Sequence, residues 1–403
     1  MSSKPSNNSS LHIQEEHRTL MDSSSTCTVF FPSDIIFEIL TWLPAKQLAQ
    51  FKCVSKFFCS VIAEPLFVKV HHDRSSTRPD GTQILISISD SSFHKRHRFY
   101  TVNDTGEDKA LLQVHYLEAR HFKNLNAYGQ RNATNGLICV FDQQEDVVIC
   151  NPTTRQQISL QRDVVSRGQT GTSYILGFDP ISKSYKVLKL QDFWGSNEYK
   201  RQYCVLTLGV DKSWREINNY LLGYPDASVH IGGIIYLISS IFRKEIVTFN
   251  VGDENIGLVP FPGVELKKCN ISNFWRLSWM EIEGRLAVVH IKRNNFVVGR
   301  EMRILTLEKS MKWEKQVISL PWEESLITKD SMDIFSTSTN LGEILLLLDA
   351  KGSVEVLLYS FRKHVWRKIE VYGPDDYIYH HMRSSKNVVD VIEENLYFFT
   401  HND

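Results

Sequence analysis

Two hydrophobic periods divide the chain. Between Phe31 and Pro65 the apolar residues recur at helical spacing, with Ile35, Ile36, Ile39, Leu40 and Leu43 forming one wide stripe. Asp34 near the start suits the positive end of the helix dipole. Pro44 ends this first helix, because a residue before proline is pushed out of the α region. A second short helix is predicted from Ala45 to Phe51, with Leu48 and Phe51 on its apolar side and Pro44 in its first turn. Ser55 is placed to cap a third, whose stripe is Phe57, Phe58, Val61 and Ile62 and which stops before Pro65. After Pro65 the period changes to two. Phe67-Val68-Lys69-Val70 and Gln83 to Ile88 read as strands on either side of a Pro79-Asp80-Gly81 turn. Strands then follow to the end: LICVF, DVVIC, SYILGF, YKVLKL, YCVLTLGV, GIIYLIS, EIVTFNV, RLAVVHI, MRILTLE, EILLLLD, VEVLLYSF and NLYFF. No amphipathic helix is predicted among them, which excludes a βα layered fold and leaves an all-β sandwich, barrel or propeller.

An internal repeat chooses among these. Glycine followed by an apolar strand occurs at Gly136, Gly232, Gly284 and Gly342, at intervals of 96, 52 and 58 residues, and the strand starting at Ser173 falls within the first interval. A second marker keeps the same time: polar strands carry Trp214, Trp313 and Trp366, with Gly257 to Pro262 in the equivalent place between the first two. A period of about fifty residues with four short strands per unit predicts a kelch-like β-propeller, and the length after Pro65 allows about six blades. One blade cannot hide both its faces, so it stacks on its neighbours around an axis.

Composition narrows the partners. Of 403 residues, 42% are hydrophobic, enough for a sizeable core in more than one structural unit. Lys plus Arg and Asp plus Glu each number 46, so no net field favours nucleic acid or an anionic membrane. The densest basic run, His94-Lys95-Arg96-His97-Arg98, reads as a solvated turn. Residues 1–29 are polar and poor in β-branched and aromatic residues, which predicts a disordered tail. That tail lacks the apolar core of a signal peptide, and no run of eighteen apolar residues follows, so a cytoplasmic or nuclear protein is expected. The seven cysteines are scattered, with no C-x-x-C, and imply neither a disulfide framework nor zinc.

The helical stretch FPSDIIFEILTWLPAKQLAQFKCVSKFFCSVIAEPLF resembles the F-box, the module by which substrate receptors of cullin–RING ubiquitin ligases dock on a Skp-family adaptor. The likeness spans residues 30–68. It departs where Phe31 stands for the usual Leu, and where Phe58 and Cys59 stand for the Trp and Arg common in plant members. A module this small rarely buries enough surface to fold alone, so a partner that completes its apolar face is expected. The resemblance assigns adaptor contact to Phe31, Pro32, Ile35, Ile36, Leu43, Pro44, Leu48, Phe51 and Val54. The alternative use of the same stripe is as a cap packed on the propeller.

Residues 69–403 would then be the target-binding propeller. Asn135-Gly136-Leu137-Ile138, the run Val147 to Arg155 with Asn151-Pro152, and Leu176-Gly177-Phe178-Asp179-Pro180 through Val187 resemble the F-box-associated domain of plant F-box proteins. Asn151-Pro152 and Asp179-Pro180 initiate turns, and these residues read as scaffold. Target contact is placed on two aromatic segments read as loops: Gln191 to Tyr199, with Phe193, Trp194 and Tyr199, and Asn273 to Arg276, with Phe274, Trp275 and Arg276. The competing reading of those aromatics is as filling between blades. His71-His72-Asp73, His94-x-x-His97 and His380-His381 read as surface loops, since none has helical metal-ligand spacing. No nucleophile elbow, P-loop, dinucleotide fingerprint or RING zinc spacing occurs. The expectation is a non-catalytic substrate receptor of an SCF-type ligase, needing no cofactor or metal and binding an adaptor, through it cullin and RING subunits, and a protein target. A stand-alone binding propeller is the first rival. A propeller glycosidase is the second, and it would need carboxylates converging on the axis.

Overall fold

The computed structural model describes residues 31–75, 82–89, 97–103, 109–115, 131–141, 146–160, 169–194, 199–217, 225–239, 244–269, 277–293, 298–321, 334–339, 342–350, 353–372, 388–393 and 396. The predicted N-terminal tail lies outside them. Four helices come first: α1 (Ser33–Thr41), α2 (Ala45–Val54), α3 (Lys56–Ala63) and α4 (Pro65–Ser75). Prolines and one serine set their limits. Pro32 and Pro44 stand in extended backbone just before α1 and α2, and Ser55 caps α3 by accepting the Phe58 N–H at 3.2 Å. The helices close on a core of Leu40, Ala45, Leu48, Ile62 and Phe67, joined by Leu396 from the far end of the chain. Phe37 meets Phe67 edge to face at 5.2 Å, and Phe51 meets Phe58 at 5.3 Å.

The fourth helix corrects the sequence reading, which took Phe67 to Val70 as a strand, counted three helices and put His71-His72-Asp73 in a loop. Pro65 sits at the first helical position, where its missing N–H is harmless, and Phe67, His71 and Ser75 at i, i+4 and i+8 are all buried. Packing of that face against α1 overrides the β-branched pair Val68 and Val70.

The strands are β1 (Thr82–Ser89), β2 (His97–Asn103), β3 (Lys109–His115), β4 (Arg131–Thr134), β5 (Leu137–Phe141), β6 (Val147–Asn151), β7 (Gln156–Leu160), β8 (Gln169–Asp179), β9 (Ser184–Trp194), β10 (Tyr199–Thr207), β11 (Arg215–Ile217), β12 (Ala227–Ile231), β13 (Ile234–Ile238), β14 (Glu245–Asn250), β15 (Ile256–Pro260), β16 (Ser278–Ile282), β17 (Arg285–Arg293), β18 (Val298–Leu307), β19 (Trp313–Ser319), β20 (Ile334–Ser338), β21 (Glu343–Ala350), β22 (Ser353–Ser360), β23 (Val365–Tyr372) and β24 (Val388–Glu393). They form a propeller. Among the described residues hydrogen bonding gives five blades: β4 to β7, β8 to β11, β12 to β15, β16 to β19, and one of eight strands. The eight-stranded blade is a fused pair. Its halves are β20 to β23 and β24 with β1, β2 and β3, joined where β23 runs parallel to β3 from Glu370 to Tyr372. Counted separately, the halves bring the blades to the expected six. The innermost strands touch in the cycle β24, β4, β8, β12, β16, β20 and back to β24, which closes the ring.

Turn chemistry explains the repeat. The glycines seen in the sequence sit in hairpins between first and second strands, with positive φ at both Asn135 and Gly136, at Gly232 and Gly233, and at Glu283 and Gly284. Asn151 Oδ1 accepts the N–H groups of Thr153 and Thr154, and Asp179 accepts those of Ile181 and Ser182, as their turn-initiating role requires. Asn250 repeats the device with Gly252 and Asp253. Trp313 and Trp366 lie in fourth strands, and Trp214 immediately precedes one. Trp313 Nε1 donates to Pro260 O at 2.9 Å and Trp366 Nε1 to Ser319 O at 3.0 Å, each reaching the outer strand of the preceding blade.

Three details differ from the strand expectations. A short helix, α5 (Gly263–Lys268), follows β15 and buries Leu266 in the core between adjacent blades. The segment Gln191 to Tyr199 is mostly strand, being the end of β9 and the first residue of β10. The last described strand is Val388–Glu393, with Leu396 beyond it outside any strand and the remainder of NLYFF outside the described residues.

Candidate protein-docking site

Helix α1 shows two faces. Ile36, Phe37 and Leu40 turn inward, while Phe31, Ile35, Ile39 and Trp42 are 53%, 45%, 50% and 55% exposed. Counted from Ile35, the last two fall at i+4 and i+7, so the exposed residues make one seam along the helix. Ile35, Ile39 and the C-cap Trp42 in a row, with Phe31 exposed just before the helix, are the arrangement that lies in a partner's groove.

The seam ends in a held tryptophan. Trp42 Nε1 donates to Glu38 Oε1 at 3.1 Å, and the Arg74 guanidinium lies 4.7 Å from the Trp42 ring centroid. Arg74 also pairs with Glu38 at 2.9 Å and donates to Thr41 Oγ1. The hydrogen bond from Arg74, with a second from Trp42, holds the Glu38 carboxyl below its ordinary range. One turn earlier on α4, the His71 ring stacks on Phe67 and its Nε2 lies 2.9 Å from Leu43 O, fixing the corner before Pro44.

The sequence-assigned adaptor residues divide on this geometry. Phe31, Pro32, Ile35 and Val54 are exposed, and Ile36, Leu43, Pro44 and Phe51 are partly buried. Leu48 is fully buried in the helical core, where its face of α2 packs inward with Leu40 and Ile62. Ile39 and Trp42, at i+4 and i+7 from Ile35, are exposed beside it and were not among the sequence-assigned residues.

The propeller offers a second surface, at its other end. In each blade the turns joining first to second and third to fourth strands share one end, and those joining second to third strands share the other. The helices attach at the first end, because Thr82 opens β1 opposite Glu393, three residues before Leu396. Trp194 and Tyr199 face each other in register at the opposite end. The β15 to β16 connection, which carries Phe274, Trp275 and Arg276, leaves from that same end. Those three residues lie outside the described set, as do the side chains of Phe193, Trp194 and Tyr199. Topology thus brings the paired ends of β9 and β10, at Trp194 and Tyr199, to the end away from the helices.

Among the described residues several polar side chains join neighbouring blades. Asn132 donates to Tyr174 O and accepts the Leu176 N–H, and His230 Nε2 lies 2.9 Å from Phe178 O. Burial pulls the His230 pKa below the ordinary imidazole value, against the opposing effect of that carbonyl. Arg215 bridges Asp211 and Glu254, and Glu254 also binds Lys186, which ties adjacent blades. Burial raises the thiols of Cys139 and Cys150, the latter to about 12, so neither is a nucleophile at neutral pH. Among the described residues no three His, Cys, Asp or Glu side chains gather as metal ligands. His71 takes part in packing; His94, His380 and His381 lie outside the described residues.

Comparison with known proteins agrees with both units. The family model described as "F-box associated beta propeller domain" matches residues 83–395, and that described as "F-box domain" matches residues 31–69. "F-box protein At1g30790" of Arabidopsis thaliana is 30% identical over 362 residues, covering 84% of this chain and 87% of that protein. "Putative F-box protein At4g38870" of the same plant is 29% identical over 330 residues, covering 76% and 72%. "F-box/kelch-repeat protein At4g19930", also from Arabidopsis thaliana, is 23% identical over 398 residues and covers 90% of each.

Proposed function

Because the chain belongs to the plant F-box proteins that carry an F-box-associated β-propeller, we propose that it is the substrate-recognition subunit of an SCF-type cullin–RING ubiquitin ligase. The F-box docks a Skp-family adaptor, through which cullin and RING subunits are reached, and the propeller end away from the helices holds a protein target. The observation that carries this reading is the seam of Phe31, Ile35, Ile39 and Trp42, left exposed on a helical unit that matches the F-box. Each such side chain is already about half buried, so a partner that covers the rest contributes roughly half of the ~1.5–3 kcal/mol of full burial, before the costs of association.

The chain's part in the reaction is placement. A target lysine held near a charged ubiquitin carrier reacts as though intramolecular, and the bond-making groups belong to other subunits. Work in the cytoplasm or nucleus, without nucleic acid or membrane as partner, is part of the same proposal.

The test is reconstitution of the full chain with purified Skp-type adaptors, followed by size-exclusion chromatography. A one-to-one complex, lost in an Ile35→Asp, Ile39→Asp variant that unfolds at the same temperature as the unaltered chain, is the expected result. Failure of the unaltered chain to bind any adaptor would make it a stand-alone binding propeller. Leu48 is unsuited to this test, since its truncation opens the helical core.

A further inference from the structure

We infer that Trp42 and Arg74 form a rigid plate that extends the docking seam beyond the F-box proper and determines which adaptors the chain accepts. The inference rests on the docking reading above and adds to it a specificity element in α4. Three observations meet here. First, Trp42 is 55% exposed yet held on two sides, by Glu38 through its indole N–H and by Arg74 across its face. An exposed indole already fixed in place loses little freedom on binding, and buried Trp and Arg are the commonest anchors of interfaces. Second, Trp42 continues the line of Phe31, Ile35 and Ile39, so a groove that receives α1 reaches the indole at the far end of the seam.

Third, Arg74 lies outside the residues that match the F-box, which end at 69. It is brought to the seam only because α4 continues to Ser75 and packs on α1 through Phe67. Arg74 reaches Glu38, Thr41 and the Trp42 face from one planar group, which a lysine cannot do. The partner this surface calls for is a Skp-type adaptor that receives the exposed face of α1 and has room for the Trp42 indole where that face ends. An adaptor with that end filled is rejected by steric conflict, and discrimination follows.

The experiment is titration calorimetry of the full chain against a panel of purified Skp-type adaptors. The variants are Trp42→Ala, Arg74→Gln and Arg74→Lys, with Ile181→Ala in an exposed propeller turn as control. The expected result is a loss of about tenfold or more in affinity for Trp42→Ala, a smaller loss for both Arg74 variants, and a narrower spread of affinities across the panel. Ile181→Ala leaves affinity unchanged. Hydrogen exchange of the α1 to α4 amides shows whether a variant has loosened the helices. A Trp42→Ala affinity within twofold of the unaltered chain for every adaptor overturns the plate while leaving docking intact. Lysine restoring full affinity at position 74 reduces Arg74 to a charge and overturns the planar arrangement. Absence of binding by the unaltered chain overturns docking itself, and the plate with it.

Discussion

Gly177 on β8 shows how closely neighbouring blades meet. A Cβ added there would stand 2.6 Å from Val251 Cγ2 and 2.8 Å from Ile235 Cδ1, both on the next blade. Gly177→Ala is therefore expected to destabilise the protein by about 1–3 kcal/mol, measured by denaturant unfolding. Gly232 is the counter-case: its φ of +55° is left-handed but a Cβ there meets nothing within 4 Å, so Gly232→Asn is expected to cost far less in the same assay. His230 makes a prediction of a different kind. Burial lowers its folded pKa below the 6.5 of the unfolded chain, so between those values the unfolded state holds the extra proton. Stability from this site is complete above about pH 6.5 and is lost as pH falls through the folded pKa. Unfolding temperatures taken from pH 7 down to pH 5 should fall more steeply for the unaltered protein than for His230→Gln. Equal slopes would show that His230 keeps its neutral state at no cost. The glycine hairpins could be read from sequence, because a positive φ is a local demand. Gly177 could not, because the atoms that exclude a side chain there come from residues 58 and 74 positions later.

Two outer strands, those carrying Trp313 and Trp366, are each tied to the preceding blade by an indole N–H. Replacing Trp313 with Phe keeps most of the ring buried against Trp279 and removes the N–H that Pro260 O accepts. The expected loss is about 0.5–1.5 kcal/mol, read from chemical denaturation, and a loss near zero would mean that water replaces the indole at that carbonyl. The helical unit offers a parallel test, since Ser55→Ala should cost about 1 kcal/mol through the orphaned N–H at Phe58, seen as faster amide exchange at the start of α3. What was legible among the elements follows from range. The helix limits at Pro44, Ser55 and Pro65, the blade hairpins and the Trp-bearing fourth strands all depend on a few adjacent residues, and the sequence displays them. Helix α4 was hidden because Val68 and Val70 favour a strand locally, while the contacts that decide for helix are Phe67 on Phe37 and His71 on Leu43. Strand β24 was hidden for the same reason, its partner β1 lying some three hundred residues earlier. In the docking seam, the i, i+4, i+7 line of Ile35, Ile39 and Trp42 was visible. Which of the two faces of α1 turns outward was not, because that depends on where α4 packs.

Across the whole molecule, one short C-terminal segment serves both units. Strand β24 completes the first blade by pairing with β1 from Thr82 to Ser87, and it touches the inner strands β20 and β4 on either side, so it closes the ring. Three residues later Leu396 enters the helical core beside Leu40, Leu48, Ile62 and Phe67. The helices at the front of the chain thus borrow a core residue that reaches them only when the propeller has closed. Leu396→Ala should remove about 2–5 kcal/mol of packing. The loss should appear as faster hydrogen exchange in α1 to α4, while amides of the central blades, such as β13 and β17, keep their protection. A chain ending at Asn387 loses the closing strand as well as Leu396. It should loosen the helices and also expose β1 as an unpaired edge, giving aggregation on heating where Leu396→Ala remains soluble. Helix protection unchanged in both variants would mean that Leu40, Leu48, Ile62 and Phe67 suffice alone. Protection lost in both ties order of the exposed α1 face to closure of the propeller, so that a chain with an incomplete propeller presents no ordered helix there.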